Sequence, residues 1–464
     1  MPNPRSGYDR KSRMEYFYCD LSIIAEESKM AKSLFQEIQK LINEENSVSW
    51  KYYQYWSPNI SADTLLSEQG SISFIKGYFS AGVKESPLYL DPFGANYKNE
   101  YLLHNKESLL SDSTFSIDNL PGDRAVHTVS AFFLGILIEN AMFGNNHLTA
   151  RVNGDNSFTF PYIWFLTCLY HDFGYQFEQN NEYHSSIRNR IAGYNRSIYF
   201  AKGRSRPLKA VFRRLDISLG NAIKQDISLS HALYNELLGY AKNKSIYPVH
   251  YSNGAIVRNG WYNKQTINNY FDYRFWNMDV CDHGIVGGYL FLDRIIKNYA
   301  TTYMMECVRQ QTLLDLGDFY NTDSNLRFSK RQLPVFHHIS NCILAHNVYK
   351  SPDDKVDIYP AYGLGKLIGT SFKPVCSKKD PLLYILSISD TLDPVKLYCT
   401  ELELPAMEVL KNVYFDFIPG SKSIKISVSK AIRIEPIYEA ANRRKEWTAA
   451  TVVNKTNDSF DITL

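Results

Sequence analysis

The chain has 464 residues, of which 44% are hydrophobic and 21% are charged, and its formal net charge is +3. This composition is typical of a folded globular protein and excludes a largely disordered chain. The near-neutral charge argues against a protein whose whole surface is basic and binds nucleic acid. The length exceeds that of one minimal domain, so we expect a large core domain with smaller additions.

The first residues, MPNPRSGYDRKSR, are polar and charged, so no signal peptide is expected there. The longest apolar runs, such as residues 131–138, are too short to span a bilayer. The seven cysteines are scattered and form no C-x-x-C pair, which indicates reduced thiols rather than a disulfide framework. Together these features predict a cytoplasmic protein that is not embedded in a membrane.

Residues 1–120 are predicted to form a mostly helical extension. Within residues 14–45, apolar residues recur near helical spacing, which predicts an amphipathic helix. Residues 46–120 are rich in Ser, Asn and Tyr, and they are expected to contain short helices.

Residues 121–400 are predicted to form a helical core. Pro121–Gly122 punctuates the chain, and Asp123 is the expected N-cap of a long apolar helix. The segment 185–275 is basic, rich in Asn and Tyr and weakly periodic, so it is interpreted as an insertion into this core. The predicted core helices cover residues 124–142, 161–170, 284–305, 335–345 and 382–392.

Residues 401–464 have a different pattern. Alternating apolar and polar residues predict strands at 413–418, 423–430 and 459–464, and a turn at 419–422 joins the first two. Residues 435–447 are predicted to form a helix. The predicted fold class is therefore mainly α, with a small α+β region at the C-terminal end.

Ligand-type side chains interrupt the apolar core helices. Histidine and carboxylate side chains are costly on a buried helix face unless something binds them. Each one alone is compatible with a hydrogen-bonded core histidine or a capping aspartate, but the set of six is large enough to hold two divalent metals. The six residues are His127, His171, Asp172, His283, His346 and Asp390.

The order H…HD…H…H…D, with DHGIVGGYLFLD around His283 and ILAHN around His346, resembles the HD-domain metal-dependent phosphohydrolase superfamily. The resemblance covers roughly residues 120–400, interrupted by the insertion. It implies an HD-domain helical bundle that holds two divalent transition metals, namely Mn, Ni, Co, Fe or Zn, with Mg as a further candidate. One ion is implied at His127, His171 and Asp390 and the other at His283 and His346, with Asp172 shared between them.

The reaction implied by the resemblance is hydrolysis of a phosphate ester by a hydroxide that the two metals activate, with Asp172 as the essential shared ligand. A nearby acid must protonate the leaving oxygen, and Tyr175, Glu178 and His184 are the candidates. Tyr175 stands where cyclic-dinucleotide phosphodiesterases of this superfamily have a lysine, which argues against that substrate. The same ligand order occurs in mixed-valent di-iron oxygenases of small polyols or phosphonates, so this alternative stays open. A catalytically silent regulator is a third hypothesis, against which the complete ligand set argues.

A basic segment follows the His-Asp pair. Residues 188–214 contain nine Lys or Arg and no acidic residue, with aromatic residues interleaved. Arginine grips phosphate in a fork geometry and aromatic rings stack on bases, so the segment indicates a nucleotide or another phosphorylated small molecule as substrate. Nucleic acid is a further candidate partner, a homo-oligomer is a candidate assembly, and the alternative for the segment is a solvated loop. The predicted phosphate contacts are Arg204, Arg206, Arg213 and Arg214.

Overall fold

The structure is a computed structural model. It describes residues 32–43, 61–80, 122–152, 156–178, 180–191, 205–215, 217, 229–242, 248–258, 260–293, 295–296, 332–399, 402–417, 420–444 and 447–464. Within these residues the protein is mainly helical and has two small antiparallel sheets.

The helices are numbered here in chain order. They are α1 Leu34–Asn43, α2 Ala62–Leu65, α3 Glu68–Ser80, α4 Gly122–Phe143, α5 Phe160–His171, α6 Tyr175–Glu178, α7 Asn181–Arg190, α8 Arg206–Arg214, α9 Leu229–Ala241, α10 Lys264–Asn277, α11 283–293, α12 Gln332–Ala345, α13 Ile358–Ala361, α14 Pro381–Leu392, α15 Ala406–Asn412 and α16 Glu435–Arg444. A π-helical turn, Val395–Cys399, follows α14.

Local sequence explains where the core helices start and stop. The Asp380 side chain accepts a hydrogen bond from the Leu383 N–H and caps α14, with Pro381 at its first position. Helix α4 ends at Phe143 because Gly144 takes a left-handed φ of 58°, which glycine adopts at little cost. The same helix begins at Gly122, so Asp123 lies inside its first turn and the prediction of Asp123 as N-cap is wrong.

Helices α4, α5, α12 and α14 pack against one another and form the central bundle. Their inward side chains are almost all apolar, and every residue of α14 is buried. Burial of each large aliphatic or aromatic side chain contributes about 1.5–3 kcal/mol, so this core accounts for much of the driving force for folding. The bundle therefore provides a dry, rigid frame for the polar residues that it contains.

Helix α4 is unusually long and apolar. Its segment Arg124–Phe143 meets the length and hydropathy expected of a membrane span, but 89% of the apolar window is buried inside the protein. The expectation that no apolar stretch reaches this length is therefore wrong, since it considered only the unbroken run 131–138. The burial of α4 is that of a core helix, which passes the same test of length and composition.

The two sheets lie at different places in the chain. Strands β2 Thr149–Val152, β3 Asn156–Thr159, β4 Val249–Tyr251 and β5 Ile256–Val257 form a sheet in the order β3-β2-β4-β5. Strands β1 Lys32–Ser33, β6 Val413–Phe417, β7 Ser423–Val428, β8 Thr451–Val453 and β9 Ser459–Thr463 form the other, in the order β1-β6-β7-β9-β8. Since Ser33 pairs with Tyr414, the N-terminal and C-terminal regions share one sheet.

The structure corrects several predicted boundaries. Of the helix predicted over 14–45, residues 14–31 and 44–45 lie outside the described residues; Lys32 and Ser33 form a strand of the C-terminal sheet, and the helix covers Leu34–Asn43. The segment 185–275, predicted as weakly periodic, contains most of α7 and the whole of α8 and α9, together with β4, β5 and most of α10. The C-terminal prediction of strand, turn, strand, helix and strand is confirmed by β6, β7, α16 and β9, and the short strand β8 was missed.

We expect the close contact of α4 with α5 to tolerate no added methyl group at Gly135. A Cβ atom there would lie 2.0 Å from Cζ2 of the buried Trp164 ring, whose Nε1–H donates to the Phe132 carbonyl. Gly135→Ala should lower the free energy of unfolding by about 1–3 kcal/mol through overpacking. The matched control is Gly239→Ala in α9, where no atom of the described residues, apart from the chain neighbours and the helix's own backbone, lies within 4 Å of the new Cβ, and it should raise stability by roughly 0.5–1 kcal/mol. Urea unfolding midpoints measure both, and equal effects at the two positions would contradict the packing argument.

Candidate metal centre

The six ligand-type residues predicted from sequence meet at one place in the bundle. Their donor atoms form two groups, and within each group the atoms lie within 4.8 Å of one another. All six side chains are buried. The first group is His127, His171, Asp172 and Asp390, and the second is Asp172, His283 and His346.

Different elements bring these donors together. His127 lies on α4, His171 is the last residue of α5, and Asp172 follows in the turn after it. His283 opens α11, His346 follows the end of α12, and Asp390 lies in the last turn of α14. Helix ends therefore supply most of the donors, where side chains can converge without breaking a helix.

The distances between donor atoms suit shared ions. His127 Nε2 lies 3.3 Å from Asp172 Oδ2 and 3.3 Å from Asp390 Oδ1, while His171 Nε2 lies 3.4 Å from Asp172 Oδ1. His283 Nε2 lies 3.4 Å from Asp172 Oδ1. Two donors that each sit about 2.1 Å from one ion are roughly 3.0–3.4 Å apart at right or tetrahedral angles.

All four imidazoles present the same nitrogen to the centre. His171 Nδ1 faces the Cys168 carbonyl oxygen at 2.6 Å, and His346 Nδ1 faces the Ile343 carbonyl oxygen at 2.7 Å. Because a carbonyl only accepts, each Nδ1 carries the proton and each Nε2 of the neutral ring is left with its lone pair. In the other two rings, a carboxylate faces Nδ1 in place of a carbonyl: Asp393 Oδ2 lies 2.7 Å from His127 Nδ1, and Glu178 Oε2 contacts His283 Nδ1.

The inward-facing atoms lack partners of their own. Among the residues that the structure describes, His127 Nε2, His171 Nε2, Asp390 Oδ2 and both carboxylate oxygens of Asp172 have no hydrogen-bond partner. Leaving one buried polar group unsatisfied costs about 1–3 kcal/mol, and more when the group is charged. His283 Nε2 and His346 Nε2 also face each other at 3.2 Å. If both rings are neutral and carry their protons on Nδ1, neither Nε2 has a proton to donate to the other. Cations shared by these donors would provide a partner for each of the unpaired atoms, so the donor set fits divalent metals.

The electrostatics of the ion-free centre lead to the same conclusion. Burial alone would lower the pKa of His127 and His171, but the neighbouring carboxylates outweigh it and raise each pKa to about 10. Burial and two neighbouring imidazoles, His283 and His171, lower the pKa of His346 to about 3. Burial would raise the pKa of Asp172, but the surrounding histidines hold it well below its usual range. In the absence of a metal, protons on histidine therefore balance the buried carboxylates.

A second layer of polar side chains fixes the ligands. Glu178 is held between His283 and Arg274, and Arg274 Nε also lies 3.3 Å from Asp282 Oδ2. Asp282 in turn accepts from Asn347 at 2.8 Å. Outer partners of this kind orient metal-binding imidazoles and raise their basicity.

Two glycines permit the close approach of these elements. A Cβ atom on Gly174 would lie 2.1 Å from the His283 carbonyl oxygen, and one on Gly284 would lie 2.8 Å from His346 Cε1. Any other residue at either position would displace a ligand-bearing segment. Gly174 and Gly284 are therefore required by the close packing around the site.

Three cationic side chains at this centre were missed from the sequence. Arg124 Nη1 lies 3.9 Å from Asp172 Oδ2, Arg444 Nη2 lies 3.9 Å from Asp390 Oδ2, and Lys396 Nζ contacts Asp390 Oδ1. The position of Arg124, one helical turn before His127 on an apolar helix, was a signal in the sequence. Arg444 had no such signal, because α16 of the C-terminal region brings it to the bundle.

The three predicted acid candidates occupy different environments. The Tyr175 ring stacks on the His283 ring, with 4.1 Å between the two centroids. The Arg124 guanidinium also contacts the Tyr175 ring and lies 4.0 Å from its centroid. Burial would raise the pKa of Glu178, but His283 and Arg274 lower it to about 2, so this carboxylate is ionised and has no proton to give. His184 Nε2 contacts the Phe275 carbonyl at 3.1 Å. The choice of a general acid stays a prediction, and Tyr175 is the candidate that contacts a ligand while keeping its proton, since burial raises its pKa.

Three of the four predicted phosphate contacts, Arg206, Arg213 and Arg214, lie on α8. Arg206 and Arg213 are exposed, and Arg214 contacts Ser186 and the Tyr183 ring. Arg204 lies outside the described residues. A role for these arginines in substrate binding stays a prediction.

Comparisons of this chain with protein-family models, with curated proteins and with solved structures give no match. The structure itself shows a mainly helical protein with buried His/Asp clusters that could bind metal.

We expect divalent transition metal to stabilise the protein through this centre. An ion that binds only the folded chain adds about 2.7 kcal/mol at one hundred times its Kd, so Mn²⁺, which prefers oxygen and nitrogen ligands to thiolate, should raise Tm. Asp172→Asn should remove most of the metal-induced rise, because Asp172 belongs to both groups. Asp353→Asn, at an exposed acidic residue, is the matched control and should keep the rise. A full metal-induced shift in Asp172→Asn, measured by calorimetry, would show that the ions bind elsewhere.

Glu178→Gln separates a positioning role from a proton-donating role. If Glu178 orients His283, the loss of its charge should weaken metal binding by about 10- to 100-fold. Isothermal titration with Mn²⁺ measures this affinity. An unchanged affinity together with a fall in kcat would instead support the prediction of Glu178 as general acid.

Proposed function

We propose that this protein is a metal-dependent phosphohydrolase of the HD type that hydrolyses a phosphate ester of a nucleotide or a similar small molecule. The observation that carries the proposal is the set of four imidazoles whose Nε2 atoms converge on Asp172 and Asp390. The order of these ligands along the chain, H…HD…H…H…D, is that of the binuclear branch of the superfamily.

In this proposal two divalent ions occupy the centre. His127, His171, Asp172 and Asp390 would hold one ion, and Asp172, His283 and His346 would hold the other. When bound, such ions lower the pKa of a coordinated water and draw negative charge from a phosphoryl oxygen. Nitrogen and carboxylate donors suit Mn, Fe, Co, Ni or Zn.

The cationic side chains favour an anionic substrate. Arg124, Lys396 and Arg444 all approach the ligand carboxylates, and in this proposal the same cations also attract the phosphoryl group of the substrate. The Arg444 guanidinium packs against the rings of both Tyr349 and Trp447, at 4.3 and 4.5 Å from their centroids. A guanidinium held in place in this way loses little entropy on binding phosphate. Small neutral polyols, one of the two substrate classes of the oxygenase alternative, need no such charge, whereas phosphonates, the other class, would use it as a phosphate ester does.

Tyr175 is our choice of proton donor to the leaving oxygen. Its hydroxyl is protonated near neutral pH, as in any tyrosine, and burial, followed by the charge of Asp172, raises its pKa further. Its ring is wedged between Arg124 and the ligand His283, so the position of the side chain is fixed. Tyr175→Phe should therefore lower kcat while leaving metal affinity nearly unchanged.

The decisive experiment measures hydrolysis of phosphate mono- and diesters and of nucleotides by the full chain loaded with Mn²⁺, Co²⁺, Ni²⁺, Zn²⁺ or Fe²⁺. We expect metal-dependent phosphate release, and its loss in Asp172→Ala even with excess metal. Wild-type activity in Asp172→Ala would exclude this centre as the active site. Tightly bound iron with oxygen consumption and no ester hydrolysis would establish the oxygenase instead.

Removal of one cationic side chain beside the centre should lower kcat/KM. A hydrogen bond to a charged group contributes about 1.5–3 kcal/mol, so Lys396→Met should lower kcat/KM by about 10- to 100-fold. Lys430→Met, at an exposed lysine of the C-terminal region, should have no effect. Arg213→Glu tests the basic segment in the same assay. A large effect of Arg213→Glu with none of Lys396→Met would move the substrate site to α8.

A further inference from the structure

A second cluster of metal-ligating side chains lies at the other end of α14. We call it the His–Cys–Asp cluster, and its members are His338, Cys342 and Asp380. His338 and Cys342 are four residues apart on α12, so their side chains project from the same face. Asp380 is the N-cap of α14, ten residues before Asp390 and therefore about 15 Å from it along the helix. All three side chains are buried.

Three donor atoms of the cluster form a nearly equilateral triangle. His338 Nε2 lies 3.6 Å from Asp380 Oδ1, and Cys342 Sγ lies 3.8 Å from each of these atoms. The centre of such a triangle is about 2.1–2.2 Å from each corner, close to the bond lengths of zinc to nitrogen, oxygen and sulfur. The spacing thus suits one small ion bound to all three residues.

The three side chains are only weakly hydrogen-bonded to one another. The 3.6 Å between His338 Nε2 and Asp380 Oδ1 is too long for a hydrogen bond, and the two 3.8 Å thiol contacts are weak ones. Asp380 Oδ1 does accept from the Leu383 N–H at 3.1 Å, which is the helix cap. The Tyr251 hydroxyl lies 2.7 Å from His338 Nε2, a normal hydrogen-bond distance, so an ion bound at Nε2 would replace this hydrogen bond and leave the hydroxyl beside the ion.

The charges also match a divalent ion. A cysteine thiolate and an aspartate carboxylate carry two negative charges, and a neutral histidine adds none, so the complex with a divalent ion has no net charge. A neutral complex can be fully buried without the large cost of a lone charge.

We propose that His338, Cys342 and Asp380 bind a zinc-type divalent ion, with the Tyr251 hydroxyl or a water as the fourth ligand. The ion would join α12 to the start of α14, next to β4 of the small sheet. Both helices carry ligands of the candidate metal centre beyond this point, at His346 and Asp390. The ion is therefore structural, and it holds the two helices in register behind that centre.

Cobalt absorption tests the proposal on the full chain. Co²⁺ bound to a thiolate gives an intense charge-transfer band in the near ultraviolet, and the candidate metal centre has no sulfur ligand. After chelation and reloading with Co²⁺, the wild-type chain should show this band, and Cys342→Ser should lose it. Cys168→Ser is the matched control, because Cys168 is a buried cysteine whose thiol contacts the Thr128 carbonyl, and it should keep the band.

Asp380→Asn covers the case in which Cys342→Ser does not fold. Asparagine also caps helices, so this variant keeps the start of α14 while losing the ligand charge. We expect its Co²⁺ affinity, followed by the same band, to fall at least tenfold. Absence of the band in the wild-type chain, its persistence in Cys342→Ser, or an unchanged affinity in Asp380→Asn would each overturn the proposal. None of these results bears on phosphate-ester hydrolysis at the other centre.

Discussion

The burial of two carboxylates, Asp172 and Asp390, is the constraint on which the rest of the structure depends. Both side chains are almost completely enclosed by an apolar bundle, where an uncompensated charge would be strongly destabilising. The chain surrounds them with imidazole, ammonium and guanidinium groups, and without a metal it balances them by raising histidine pKa values. A pair of divalent ions would provide the same compensation without these protons. Metal binding and folding are therefore expected to be linked in this protein.

The outer contacts show how the bundle prepares the centre. Backbone carbonyls fix two of the imidazoles and carboxylates fix the other two, so every ring already presents Nε2 before an ion arrives. Fixed ligands lose little conformational entropy on binding, which favours a defined geometry over a loose acidic patch. The glycines at 174 and 284 belong to the same arrangement, because they let the ligand-bearing segments touch.

The C-terminal region contributes to this site as well as to the fold. Its helix α16 packs on α14 and places Arg444 beside Asp390, and its sheet incorporates a short strand from the beginning of the described chain. The cationic side of the centre is thus built from three distant parts of the sequence. Under the proposed function, this is the side that a phosphoryl group would meet.

The sequence by itself was sufficient to identify the six ligand-type residues and to predict most of the core helices. Histidine and aspartate stand out against apolar helical periodicity, and the helices that carry them are long enough for the pattern to be clear. It also predicted the C-terminal strands β6, β7 and β9, because period-2 alternation is a local property of the chain.

Only the tertiary structure decided which groups surround those ligands. The contacts of Asp393 with His127 and of Glu178 with His283 depend on how separate segments pack, and no local pattern encodes them. The same holds for the contact of Arg444 with Asp390, which lies on another helix, and for the pairing of β1 with β6, which joins residues hundreds of positions apart. The His–Cys–Asp cluster was likewise invisible in the sequence, since Asp380 completes it from a different helix. Sequence periodicity determines which face of a helix is buried, whereas the partners that meet there are determined by the packing of the whole chain.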